Sequence, residues 1–221
     1  MKSLKEKLEK MTQNYQIKEW RKLLFIHESA VEEINTKLKI INKEFKIIHD
    51  YNPIEHIKDR VKKPESIIEK MERKNIKITV DNAKEYIHDI AGIRVICSFT
   101  NDIYKIYKLI EKQTDIKVLK VKDYIKNPKP NGYRSLHMIV ELPIFLTNKI
   151  ERVKIEIQIR TIAMDFWASL EHKIYYKYKG DTPNEIPDQL KDCAEIISDL
   201  DKRMLNIREE LINEEEINEE K

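Results

Sequence analysis

Asp89 sits just before an apolar stretch, IAGIRVICSF (residues 90–99), and Glu156 lies inside another stretch, ERVKIEIQIR (residues 151–160). Two carboxylates converging from neighbouring strands could hold Mg²⁺, which commonly takes one or two protein carboxylates and completes its shell with phosphate oxygens and water. In a chain with 39 acidic residues, an N-cap or surface role for Asp89 is the plainer reading of the same residue. The stretch around Glu156 alternates with a period of two. Val153, Ile155, Ile157 and Ile159 fall on one strand face, and Lys154, Glu156, Gln158 and Arg160 fall on the other. That second face is either a solvated sheet surface or the floor of a polar ligand site.

KPNGYRSLH (residues 129–137) joins a Pro-Asn-Gly turn to an aromatic ring and several cations. Tyr133 is either core or a ring on which a base stacks, with Lys129 and His137 meeting phosphates; such stacking is worth about 1 to 3 kcal/mol per base. RVKKPES (residues 60–66) brings Arg60, Lys62 and Lys63 to the start of a helix that Pro64 and Glu65 could open. Phosphate favours such an entrance, although for this segment alone solvated lysines are the plainer reading. The chain has three glycines, Gly92, Gly132 and Gly180, so neither a Walker-type loop nor a dinucleotide fingerprint can be assembled. Any phosphate must then be held mainly by side chains. The dipeptides His49-Asp50 and His88-Asp89 lack the grouped histidines and aspartates of a metal-dependent phosphohydrolase, because the six histidines are scattered singly.

The elements that must position these residues follow from apolar periodicity. Trp20, Leu24, Val31, Ile34, Leu38, Ile41, Phe45 and Ile48, with His27 at the skipped step, predict a long amphipathic helix ended by HDYNP. Leu190, Cys193, Ile197, Leu200, Met204, Ile207 and Leu211 predict a second one near the C-terminus. Each stripe packs either on its own domain or against another subunit. Between them, IAGIRVICSF, IKVLKVKDY, SLHMIVEL and RVKIEIQIR read as strands, with helices over residues 101–112 and 161–178. A sheet of about four or five strands flanked by helices is an α/β or α+β domain.

At 221 residues the chain has room for one compact catalytic domain with helical extensions. Charged residues make up 37% but nearly cancel, at +3, so whole-molecule charge does not point to nucleic acid. Locally, Lys117, Lys120, Lys122, Lys126, Lys129 and Arg134 face Asp123 alone, while the tail NEEEINEEK is acidic. Cys97 and Cys193 are far apart in apolar contexts, which predicts buried thiols in a reducing compartment. The N-terminus lacks an apolar leader, and no run approaches the roughly 20 apolar residues of a membrane span. The expectation is a cytoplasmic protein without a membrane partner.

Taken together, RVKKPESI, DIAGIRVIC, KPNGYRSLH and EIQIRTIAMDFWASLEH resemble, in order and approximate spacing, the RelA/SpoT-type synthetase domain, and the chain looks like a small alarmone synthetase of the stand-alone RelQ/RelP kind. The resemblance covers roughly residues 55–180. It implies an N-terminal helical region over 1–54, a catalytic domain over 55–180 and a C-terminal helix with an acidic tail over 181–221. The implied fold is a nucleotidyltransferase-like mixed sheet, and the implied reaction moves the β,γ-pyrophosphate of ATP to the 3′-hydroxyl of GDP or GTP. By the same analogy Arg60 and Arg94 sandwich adenine, with Lys62, Ser66 and Lys70 toward the ATP phosphates. Asp89 and Glu156 hold Mg²⁺, and Glu156 also orients or deprotonates the 3′-hydroxyl. Tyr133 stacks on guanine, Lys129, Arg134 and His137 meet the guanine-nucleotide phosphates, and Gln158, Arg160 and His172 complete the pocket.

The resemblance also implies a homo-oligomer, typically a tetramer. Product-activated RelQ-type members carry an aromatic and a threonine just before RVK, whereas this chain reads EHIKDR, so the resemblance does not extend to product activation. Regulation by RNA or by a guanine nucleotide stays open. Two other readings compete with the enzyme: a single-stranded RNA-binding regulator using the basic strip and Tyr133, and an assembly module built on the long helices.

Overall fold

A computed structural model describes residues 2–178 and 185–219, with side chains described for residues 16–174 and 185–212. In chain order the elements are α1 (Lys2–His49), β1 (Ile54–Val61), α2 (Pro64–Arg73), α3 (Val80–Tyr86), β2 (Ala91–Cys97) and α4 (Thr100–Glu111). They continue with β3 (Lys117–Asp123), β4 (Leu136–Phe145), β5 (Ile150–Thr161), α5 (Ile162–Tyr178) and α6 (Ile186–Glu219). The strands form one sheet in the order β1-β2-β5-β4-β3, in which β2 and β5 run parallel and the other neighbours antiparallel. The expected mixed sheet of about five strands is therefore present.

Alternation, broken by register shifts near the start of β1 and within β3, divides the sheet into two faces. Ile93, Val95, Met138, Val140, Ile155, Ile157 and Ile159 are buried in one cluster with Ile26, Ala30, Ile34 and Leu38 of α1 and Ile103, Ile106 and Ile110 of α4. Apolar burial at about 25 cal/mol per Å² makes this the main stabilising layer. Asn42 of α1 adds a two-way clasp: its amide donates to the Ile54 carbonyl and its oxygen accepts from the Ile54 N–H, both at 3.1 Å. The helix ends at His49, and Asp50 takes a left-handed conformation (φ 47°) that turns the chain into β1. The opposite face of the sheet is left for polar side chains.

Several expectations need correction. Ile48, at the end of the expected α1 stripe, is exposed. β1 was not among the expected strands, because IEHIKDRV is an edge strand whose polar residues interrupt the alternation and whose pairing with β2 shifts register near its start. α3 was missed as well, being seven residues long. On α6, Leu190 and Ala194 are buried, but Cys193, Leu200, Met204, Ile207 and Leu211 are exposed, so Cys193 is not a buried thiol. Polar contacts steer that helix: Thr161 donates to Asp201 at 2.6 Å, and the Trp167 indole N–H donates to the Leu190 carbonyl at 2.8 Å. The expected boundary at residues 180/181 lies outside the described residues.

Candidate active site

Register across the sheet lines up the polar residues in two adjacent rows. Lys58, Arg94, Gln158, His137 and Lys122 pair across β1, β2, β5, β4 and β3, and Arg60, Gly92, Glu156, Ile139 and Lys120 form the next row. Residues paired directly across strands project from the same face, so cations and a carboxylate spread over five strands converge. Gly92 carries no side chain between Arg60 and Glu156, which leaves that part of the floor open.

Two clefts lie over this face. The first, about 400 Å³, is lined by Lys58, Arg60, Lys62, Arg94 and Gln158, and the second, about 380 Å³, by Lys70, Lys74, Lys120, Lys122, Lys129, Tyr124 and His137. Asp89 and Glu156 line both. The two acids therefore stand where the clefts meet; Asp59 adds a further carboxylate to the first cleft, and lysines and arginines make up most of the remaining polar lining of both.

Asp89 accepts from the Lys62 and Lys70 ammonium groups, both at 2.5 Å, and Lys62 also donates to the Asp89 carbonyl at 2.8 Å. Burial alone would raise the carboxyl, but the two lysines together outweigh it and hold it at about 2. Burial also pulls Lys62 below its ordinary range, against the opposing attraction of Asp89. Asp89 Oδ1 is buried with no hydrogen-bond partner, so one oxygen is left to accept from a ligand.

Glu156 belongs to a closed ring of hydrogen bonds. Its Oε1 accepts from His137 Nδ1 at 3.1 Å and its Oε2 from the Gln158 amide at 2.9 Å. His137 Nε2 meets the Tyr133 hydroxyl at 2.8 Å, while Arg160 reaches both that hydroxyl and Gln158 Oε1, the latter at 2.9 Å. Because a carboxylate accepts only, neutral His137 carries its proton on Nδ1, its Nε2 accepts from Tyr133, and the Tyr133 oxygen accepts from Arg160. Burial pushes Glu156 up, but donation from His137 and Gln158 prevails and lowers it. The ring fixes the orientation of the acid and keeps it ionised.

Of the expected site residues, Arg60, Lys62, Asp89, Arg94, Glu156 and Gln158 line the first cleft, and Lys70, Lys129 and His137 line the second. Tyr133 is set back, packed with Trp167, its ring approached by Lys129 at 4.7 Å and Arg160 at 5.0 Å. Arg160 is buried behind it, and Arg134 donates to the Ile125 carbonyl at 3.0 Å. Ser66 and His172 are exposed and line neither cleft. Lys58, Lys74, Lys120, Lys122 and Tyr124 were missed as site residues. Alternation of Lys120 and Lys122 on either side of Val121 was the available signal, whereas Lys58 is placed by the unanticipated strand.

Among the described residues no group of three or more histidine, cysteine, aspartate or glutamate side chains gathers as a metal cage. Two hard oxygen donors, one with an unpartnered buried atom, instead suit an ion that draws its remaining ligands from phosphate and water. The chain matches the model of the region found in RelA / SpoT proteins over residues 59–181. It is 54% identical over 195 residues to the GTP pyrophosphokinase YwaC of Bacillus subtilis, covering 88% of this chain and 93% of that protein. Its fold is similar to the crystal structure of small alarmone synthetase 2 from Bacillus subtilis, with a TM-score of 0.79 at 53% identity over 86% of this chain and 98% of that one. It is also similar to small alarmone synthetase 1 from the same organism bound to its product pppGpp, with a TM-score of 0.82 at 38% identity over 88% and 99% of the two chains. Four motifs in order, a sheet that gathers them and a family match spanning more than half of the residues agree, and the chain belongs to the RelA/SpoT family.

Proposed function

We propose that the protein is a GTP pyrophosphokinase that transfers the β,γ-pyrophosphate of ATP to the 3′-hydroxyl of GDP or GTP, giving AMP and ppGpp or pppGpp. The observation that carries this reading is the meeting of two cation-rich clefts at Asp89 and Glu156. Such a transfer needs positioning and charge neutralisation more than covalent help from the protein. Arg60 and Arg94 flank adenine in the first cleft, and Lys62 faces the ATP phosphates. The lysines of the second cleft hold the guanine nucleotide, with Tyr124 and the set-back Tyr133 as its aromatic wall. Glu156, kept ionised by His137 and Gln158, accepts the proton of the 3′-hydroxyl as that oxygen attacks the β-phosphorus. Asp89 and Glu156 would hold Mg²⁺, which when bound neutralises polyphosphate charge.

Incubation with ATP, Mg²⁺ and either GDP or GTP, followed by chromatography, tests the assignment. AMP should appear in equal amount with a 3′-pyrophosphorylated guanosine nucleotide, and chelation by EDTA should stop the reaction. Glu156→Gln is expected to lower kcat by about 10²-fold or more with small changes in KM, the scale of general-base catalysis. Near-normal turnover by Glu156→Gln would remove its role. The lysine-lined second cleft also supports a second reading, capture of single-stranded RNA. Steep salt dependence of RNA affinity without nucleotide turnover would favour it.

The helices support self-association, and a homotetramer is the assembly we propose. The apolar row on α6 and Ile40, Ile47 and Ile48 of α1 are exposed in the single chain. No helix among the described residues is long and apolar enough to cross a membrane.

A further inference from the structure

Asp165 takes no part in the chemistry proposed above, yet it receives three cations from three strands. It stands in the first turn of α5 and is 7% exposed, and a carboxylate there is favoured by the helix dipole. Its Oδ1 accepts from Arg94 at 3.1 Å and from Arg160 at 3.3 Å, and its Oδ2 accepts from Lys58 at 3.2 Å. Lys58 and Arg94 line the first cleft. Arg94 Nε is buried without a partner, so the contact with Asp165 orients that guanidinium. Arg160 leads the other way: it holds the Tyr133 hydroxyl, which bonds His137 in the second cleft.

Resting on the reading of the clefts as nucleotide sites, we propose that Asp165 is a positioning residue that couples them, holding Arg94 for the adenine nucleotide and, through Arg160 and Tyr133, the wall of the guanine-nucleotide site. Two guanidinium groups share one buried oxygen, so a shift of Arg94 on binding in the first cleft alters the anchorage of Arg160. The same contacts run in reverse. An Asp165 ordered by occupation of one cleft holds the arginine of the other, so each nucleotide strengthens binding of its neighbour, and linkage makes the two enhancements one common factor.

Equilibrium titration with GDP and with an ATP analogue whose α–β bridge is a methylene tests this without turnover. The wild type is expected to bind GDP at least about fivefold more tightly when the analogue is saturating, the lower end of common coupling strengths. Folded Asp165→Asn should lose affinity for both ligands and show no mutual enhancement, and Asp165→Glu should restore part of both. Loss for one nucleotide alone, or enhancement retained in Asp165→Asn, would overturn the coupling. AMP formation by the same wild-type preparation separates the two readings: without turnover or binding, the nucleotide assignment falls together with the coupling, whereas turnover with a one-sided loss refutes the coupling alone. Should Asp165→Asn not melt cooperatively, Arg160→Lys cuts the guanidinium fork. It is expected to abolish the enhancement while analogue affinity stays within about twofold, since Arg94 keeps its carboxylate; persistent enhancement there would overturn the proposal.

Discussion

His137 illustrates how one side chain can be assigned to a phosphate or to an acid, and the geometry favours the acid. Its Nδ1 faces Glu156 and its Nε2 faces Tyr133. Removing the donor in His137→Phe leaves burial less opposed at Glu156, so the carboxyl rises and the acidic limb of the kcat/KM profile moves to higher pH. A limb that stays in place while KM for the guanine nucleotide rises would return His137 to the phosphates. Asp89 makes a stability prediction with the opposite direction of pH change. Its carboxyl is held at about 2 against an ordinary 3.8, so its contribution, about 2 kcal/mol, is full above pH 4 and is lost as pH falls toward 2. Denaturant melts of wild type and Asp89→Asn should differ by about that amount at pH 6 and converge near pH 2. A gap constant with pH would show that the lysine contacts carry no such linkage.

At the scale of elements, the turn before β4 is fixed by Gly132. Its φ is +86°, and a Cβ there would stand 2.5 Å from the Ala194 Cβ of α6. Gly132→Ala is expected to cost about 2 to 3 kcal/mol, from backbone strain and overpacking together. Adding Ala194→Gly should recover the steric part, and purely additive losses in the double-mutant cycle would mean the two residues do not meet. The turn residues were legible in PNGY, but the helix against which they press was not, since that contact joins segments 62 positions apart. Legibility followed period: β2, β4 and β5 were plain because one or both faces are apolar. β1 was hidden because it is a polar edge strand, and the row through Lys58 and Arg60 was hidden with it. Asp165 was invisible because its function arises from three strands meeting at one helix start.

At the scale of the whole molecule, the sequence left open where each long helix packs, and the two helices answer differently. The main stripe of α1 is consumed by the sheet, from Ile26 to Ile41. α6 commits Leu190 and Ala194 to α5 and the turn region, then presents Ile196, Leu200, Met204, Ile207 and Leu211 at exposures of 50 to 69%. Their spacing of four, four, three and four places them along one face, the pattern by which helices pair. Near-cancellation of 42 basic and 39 acidic residues leaves little net repulsion to oppose association. Light scattering should therefore find wild-type protein at a multiple of 26.6 kDa, and Leu200→Glu with Ile207→Glu should shift it toward 26.6 kDa. Because both positions are already exposed in the single chain, the charges should leave the melting of the separated subunit nearly unchanged. A wild type that stays at the mass of one chain at micromolar concentration would leave this face without a role in self-association.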